Sequence, residues 1–382
     1  QKIGLEPGNN EAGHTSGFSL PRATLKFSGT APCNISYYME LEFGHWGQDQ
    51  IDRRYARDLG FEDPLGPLVQ SMNFDSTREA WIQWSASDAF NFRMGQIRTA
   101  TTRQAMIAPE MQQFVDVSLA TAYMGWLMPG YTDRNRDHGF AIHGAFGCNN
   151  EWSYLLTVTN GDGGDSIRNV IDVRTSDNLA YSGRLNWAFL NPIGYQEGAL
   201  RQSTCQWYGE IGAWGYYYAD RADRAHVTVT DFLAWGVDLA LGYGGFSFTA
   251  AYNAAQHEVG ATAVKVDSTA YLVQLGYHFP GSAWEIAARW DAYDSENLAV
   301  IPPFQQIPLS TGTVSEFAFG VNYYLNGHGN KLSLDVSFVD GSDPTSELLF
   351  DPYTGYPGNR GAAGFGDSSM GYLIRFQWQL AL

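Results

Sequence analysis

The final eleven residues, Tyr372-Leu373-Ile374-Arg375-Phe376-Gln377-Trp378-Gln379-Leu380-Ala381-Leu382, alternate with a period of two. Tyr372, Ile374, Phe376, Trp378, Leu380 and Leu382 share one face, and Leu373, Arg375, Gln377, Gln379 and Ala381 share the other. Successive side chains of a strand point to opposite faces, so this is a strand with an oily face and a mostly polar one. A strand of about ten residues with an aromatic-rich apolar face is the spanning unit of a transmembrane barrel. The pattern recurs. In 284–292, Trp284, Ile286, Ala288, Trp290 and Ala292 alternate with Glu285, Ala287, Arg289 and Asp291, and 179–189 sets Leu, Tyr, Gly, Leu, Trp and Phe on one face.

Composition agrees with that class. Aromatic residues make up 15% of the 382 residues, while charged residues make up only 16%, against about 25% in soluble domains. Mean hydropathy is nevertheless −0.26. No run of about 18 apolar residues exists, which excludes a helical membrane protein. A barrel wall averages lipid-facing and lumen-facing residues and produces this combination. A large soluble β-protein, for example a sugar-binding one, is the competing class. The formal charge of −17 argues against nucleic acid as a partner. Gln1 opens the chain with no visible signal peptide, as expected of a processed or incomplete sequence. Cys33, Cys148 and Cys205 have no metal-ligand spacing and all fall on the short-turn side. Cys148 and Cys205 lie near successive turns and could pair in an oxidising compartment; three free thiols are the simpler reading.

Turn clusters divide the chain into candidate strands at 18–28, 35–43, 78–85, 90–98, 138–147, 151–159, 179–189, 206–218, 229–242, 246–257, 268–279, 284–293, 315–325, 331–339 and 370–382. Short connections (29–34, 86–89, 148–150, 243–245, 280–283, 326–330) alternate with long ones (44–77, 99–137, 160–178, 294–314, 340–369), as short periplasmic turns alternate with long outer loops. Connection 190–205 is longer than its periplasmic slot predicts. Fifteen strands cannot close an antiparallel barrel, because the first and last would run the same way. A sixteenth strand is therefore expected before residue 1 or hidden in 1–16. Residues 1–17 read as the remnant of the outer loop after it, within one barrel domain spanning 1–382.

Three passages resemble the phosphate-selective porin O/P family. Phe18-Ser-Leu-Pro-Arg-Ala-Thr-Leu-Lys-Phe-Ser-Gly-Thr30 with Ile35 to Phe43 looks like the family's second and third strands. Phe90-Asn-Phe-Arg-Met-Gly-Gln-Ile-Arg98 looks like its fifth strand, and Ala108-Pro109-Glu110 like a short motif in its constriction loop. The resemblance implies a sixteen-stranded outer-membrane barrel, usually a homotrimer, set in outer-membrane lipid and lipopolysaccharide. The third long loop, here 99–137, would fold into the lumen, and anion selectivity would rest on pore-lining Arg and Lys. The position after Ala108-Pro109-Glu110, basic in some members, is Met111 here; Arg103 lies nearby.

With aromatic faces toward lipid, the lumen receives Arg22, Thr24 and Lys26, then Ser36, Tyr38, Glu40 and Glu42. Arg93, Arg98, Arg184, Arg289, Lys331 and Arg375 are further basic residues, and Glu210, Asp238, Glu285, Asp291, Glu316 and Asp335 form an acidic group. Arg22, Lys26, Arg93, Arg98, Arg184 and Arg375 lie on the early strands and the closing one, which adjoin in a barrel; the acids lie mostly on later strands. A basic wall facing an acidic wall would impose a transverse field. Pairing of each Arg with a neighbouring carboxylate is the structural alternative. Arg98 and Arg103 are the candidates for a phosphate contact, since guanidinium forks match phosphate oxygens. Asn160-Gly-Asp-Gly-Gly-Asp165 has oxygen ligands at short spacing but no distal Glu, so a flexible outer loop is expected there rather than calcium. His143 and Ser153 sit on neighbouring strands without a Gly-x-Ser-x-Gly elbow, and no Walker loop, zinc spacing or dinucleotide fingerprint occurs. The expected activity is passive passage of small hydrophilic solutes or ions, with anions or phosphate preferred by resemblance. No enzyme activity, metal or cofactor is expected. The competing reading is a structural barrel that anchors a surface layer through acidic outer loops.

Overall fold

The computed structural model describes residues 2–5, 12–15, 23–42, 77–128, 136–161, 179–200, 205–222, 228–259, 264–295, 312–341 and 371–380. Two short strands, β1 (Lys2–Leu5) and β2 (Ala12–Thr15), pair only with each other. The other fifteen make one antiparallel sheet in sequence order. They are β3 (Thr24–Ala31), β4 (Ile35–Glu42), β5 (Thr77–Ser87), β6 (Phe90–Arg98), β7 (Arg136–Phe146), β8 (Trp152–Thr159), β9 (Ala180–Trp187) and β10 (Trp207–Ala222). There follow β11 (Thr228–Tyr243), β12 (Phe246–Val259), β13 (Val264–His278), β14 (Trp284–Ser295), β15 (Gly312–Asn326), β16 (Asn330–Gly341) and β17 (Gly371–Leu380). Every strand expected from alternation is present. The first is displaced, ending at Ala31 rather than 28. Its Ala31 pairs with Ile35 across a three-residue turn, 32–34.

The outer face is apolar because the alternation demands it. On β17, Phe376 and Trp378 are 68% and 66% exposed, and Tyr372, Ile374 and Leu380 lie on the same side. Register gathers outward aromatics near the short-turn end. Trp152 stacks on Trp187 with centroids 5.4 Å apart, Trp207 on Tyr243 at 4.5 Å, and Trp284 meets Tyr323 at 4.7 Å. Such pairs form the aromatic girdle that an outer-membrane barrel sets at the membrane interface.

The inner face is covered by the segment after β6. It contains α1 (Arg103–Met106), a 3-10 turn (Pro109–Met111) and α2 (Leu119–Leu127). Thr102 caps α1 by accepting from the Ala105 amide at 3.3 Å, and Ser118 caps α2 by accepting from Thr121 at 3.1 Å. Leu119, Ala120, Tyr123 and Met124 of α2 are buried with Trp214, Tyr216, Phe232, Ala270, Tyr293 and Val314 of the wall. The Tyr123 and Tyr293 rings stack at 3.9 Å and 8°. An apolar helix face thus finds an apolar zone inside an otherwise polar lumen.

Arg22, Leu382, most of the Asn160–Asp165 stretch and most of the acidic outer loops, including 342–370, lie outside the described residues. Cys33, Cys148 and Cys205 are all exposed and form no disulfide with one another.

Candidate pore and constriction

A non-helical chain crossing a lumen carries backbone groups that must be satisfied, each costing about 1–3 kcal/mol if buried without a partner. The wall supplies those partners by charge type. Carboxylates accept from amides: Asp335 Oδ2 from Val115 at 3.0 Å, and Asp291 Oδ1 from Ala120 in the first turn of α2, also at 3.0 Å. Cations and amides donate to carbonyls. Arg98 Nη1 reaches Met106 O (2.6 Å), Arg184 Nη1 reaches Thr101 O (3.1 Å) and Arg289 Nη1 reaches Asp116 O (3.1 Å). Asn322 Nδ2 donates to Gln113 O (2.8 Å), Gln379 Nε2 to Glu110 O (3.0 Å), and Lys331 Nζ to Gln112 O. Lumen-facing polar side chains of β6, β9 and β13–β17 therefore act as a docking bed. Gly276 belongs to that bed: a Cβ there would sit 2.0 Å from Gln113 Nε2 and 2.6 Å from Ser247 Oγ, so a side chain at 276 would push the Gln113 amide from its place.

All six sequence-selected acids are buried on the wall from β10 to β16. Glu210 lies 3.5 Å from Arg103, and Asp238 accepts from Arg184 at 2.8 Å. Glu285 accepts from Gln113 Nε2 (2.9 Å), Asn322 Nδ2 (3.1 Å) and the Tyr324 hydroxyl. Asp291 and Glu316 both hold Arg289 at 3.0 Å, whose guanidinium also lies 4.4 Å from the Phe114 ring centroid. Asp335 takes a two-pronged contact from Arg375 at 2.7 and 2.8 Å. Among the basic candidates, Arg103, Arg184 and Arg289 are enclosed. Arg98 pairs with Glu79 at 3.0 Å and keeps 18% of its side chain exposed; Arg375 keeps 16%.

The opposite wall, β3–β7, is open only in part: Glu40, Arg78, Glu79 and Arg136 are buried in ion pairs toward its long-loop end, but other inner positions are not. Lys26, Thr24 and Ser28 are exposed, and Ser36, Tyr38, Trp81, Gln83, Arg93 and His143 are partly so. Arg93 lies over Trp81 at 4.0 Å and donates through Nε and Nη2 to Gln83 Oε1 at 3.1 and 2.8 Å. It has no carboxylate within ion-pair distance among the described residues. Lys26 on β3 reaches across to Glu110 of the 3-10 turn at 2.8 Å. Burial alone would raise the Glu110 carboxyl, but the Lys26 ammonium and its hydrogen bond outweigh that and hold it below the usual carboxylate range. Ala108-Pro109-Glu110 thus marks the point where the inward segment touches β3 as well as β17.

Gln104, Gln113, Tyr195 and Glu197 hold this geometry and were not selected from sequence. Neutral amides leave no charge pattern; only the excess length of 190–205 pointed to Tyr195 and Glu197.

An apolar outer face, a polar inner face and an inward-folded segment define an outer-membrane channel for small solutes. The chain belongs to the phosphate-selective porin O and P family, whose model matches residues 3–349. A relative described as an uncharacterized protein, from Aquifex aeolicus (strain VF5), is 21% identical over 354 residues, covering 88% of this chain and 78% of its own. Among solved structures, the anion-selective porin from Comamonas acidovorans matches 85% of this chain and 79% of its own with a TM-score of 0.50 at 11% identity. Outer-membrane expressed OmpT of Vibrio cholerae covers 88% and 82% with a TM-score of 0.49 at 10% identity. Bacterial outer-membrane localisation follows from this membership.

Proposed function

We propose that solutes pass along the β3–β7 wall, constricted by segment 99–137, and that the passage favours small anions modestly without a tight phosphate site. One observation carries this reading: all six selected carboxylates are buried on the β10–β16 wall and Glu40 and Glu79 are buried in ion pairs, whereas Lys26 and Arg93 remain open to the lumen. A solute therefore meets a surface more basic than the formal charge of −17 suggests. A tight phosphate site would need several uncommitted guanidinium groups. Arg98 and Arg103 already serve Glu79, Met106 O, Glu210 and Gly194 O. In keeping with its family, the chain is read as a homotrimer embedded in outer-membrane lipid and lipopolysaccharide; detergent-phase mass measurement tests the oligomer. The functional test is a planar bilayer under a salt gradient with added phosphate. Reversal toward the anion potential with no block at low phosphate is expected. Cation selectivity would overturn the proposal, and block at low phosphate would replace it with a specific site.

A further inference from the structure

Same-side connections of the barrel are short, at 32–34, 88–89, 147–151, 244–245, 279–283 and 327–329, except one: β9 ends at Trp187 and β10 begins at Trp207. A turn needs only a few residues to join antiparallel neighbours. The excess here is not spent on the surface, because Ile193, Glu197 and Ala199 are buried. Glu197 touches three parts of the constriction segment. Its Oε1 accepts from Gln104 Nε2 of α1 at 2.7 Å, its Oε2 accepts from the Gln113 amide at 2.7 Å, and its own amide donates to Met111 O at 3.0 Å. Neighbouring residues fasten the connection itself to the wall. The Tyr195 hydroxyl accepts from Arg184 Nε (3.2 Å) and Asn186 Nδ2 (2.9 Å), the Gly194 amide donates to Glu210 Oε2 (3.1 Å), and Arg103 donates to Gly194 O. Gly198 has φ +75°, and a Cβ on it would lie 2.5 Å from Glu285 Oε1, so the chain enters there only as glycine.

We propose that residues 188–200 of this connection form a second inward loop that braces the constriction from the short-turn end, with Glu197 as its positioning residue. Pore width is then set by two segments entering from opposite ends of the barrel. A single carboxylate satisfying donors on both α1 and the 112–113 stretch couples them as one unit, and losing it strands a buried amide.

This inference rests on the channel reading, so the test has a readout that does not depend on conduction. Cys33, Cys148 and Cys205 are replaced by serine, and Gln112→Cys, at a buried position of the constriction segment, reports loosening by its reaction rate with a membrane-impermeant thiol reagent. Glu197→Ala and Gly198→Val are each expected to accelerate labelling several-fold. In bilayers without the reporter, both should raise mean conductance and current noise. Glu197→Gln keeps one acceptor oxygen and should fall between. Circular dichroism confirms strand content in each variant; if either substitution prevents folding, Glu197→Gln carries the test. Unchanged labelling and conductance in folded variants would overturn the brace. Faster labelling in a chain that never conducts would leave the brace standing and overturn the channel reading instead.

Discussion

Replacing Glu110 by Gln removes the only partner of Lys26 seen among the described residues while leaving an amide of similar size. The two atoms are 2.8 Å apart, with side chains 40% and 26% exposed, so the pair borders water and is treated at high dielectric. A permeating monovalent ion passing at about 6 Å through a medium of dielectric about 80 feels about 0.7 kcal/mol from the uncovered ammonium. Anions gain and cations lose by that amount, so the permeability ratio shifts toward anions about tenfold at low salt. At 0.1 M salt, screening over about 10 Å cuts the energy nearly by half and the ratio change to about three- or fourfold. The assay is the bilayer reversal potential across a fixed salt gradient, repeated at both ionic strengths. A change smaller than about 1.5-fold at low salt, on the scale of those Coulomb energies, would refute the placement of this pair on the solute path. So would a shift toward cations.

Other substitutions test the docking bed. Arg289→Met leaves Asp291 and Glu316 buried without their shared cation, and breaking such a pair costs about 3–5 kcal/mol; urea unfolding followed by gel mobility should show the loss, and adding Glu316→Gln should recover part of it. Gly276→Val should dislodge Gln113 and raise conductance noise while strand content stays unchanged. For pH, the Glu110 carboxyl titrates below its unfolded value, so its contribution is complete above the ordinary Glu range near ~4.3 and disappears as pH falls through the lower folded value. Selectivity should accordingly hold steady down to that range, shift toward anions below it, and lose this transition in Glu110→Gln.

The strands were readable because each carries its own period-two signal: alternation on 284–292 and 371–380 specifies which side chains meet lipid without reference to any partner. The acidic inner face of the later strands was also readable. Its use was not, because an acidic wall looks the same whether it faces a solute or a folded segment. Asp291, Asp335 and Glu285 became docking groups only when the amides and side chains of residues 113–120 were brought against them. Arg103 illustrates the same limit: its chemistry suits an anion, but Glu210 and Gly194 O occupy it. The Glu197 contacts join residues 84 and 93 positions apart, a separation no local pattern records.

In the proposed channel the inward segment covers the β9–β17 side of the lumen and leaves the solute path along β3–β7. Two serine-to-cysteine variants on lumen-facing positions test it, in a background lacking Cys33, Cys148 and Cys205. Ser28 is exposed on β3, and Ser337 is fully enclosed on β16. A charged, membrane-impermeant thiol reagent applied during single-channel recording should reduce current promptly in Ser28→Cys and leave Ser337→Cys unaffected. Rapid block at Ser337→Cys, with Ser28→Cys inert, would place the path against the acidic wall and contradict the account.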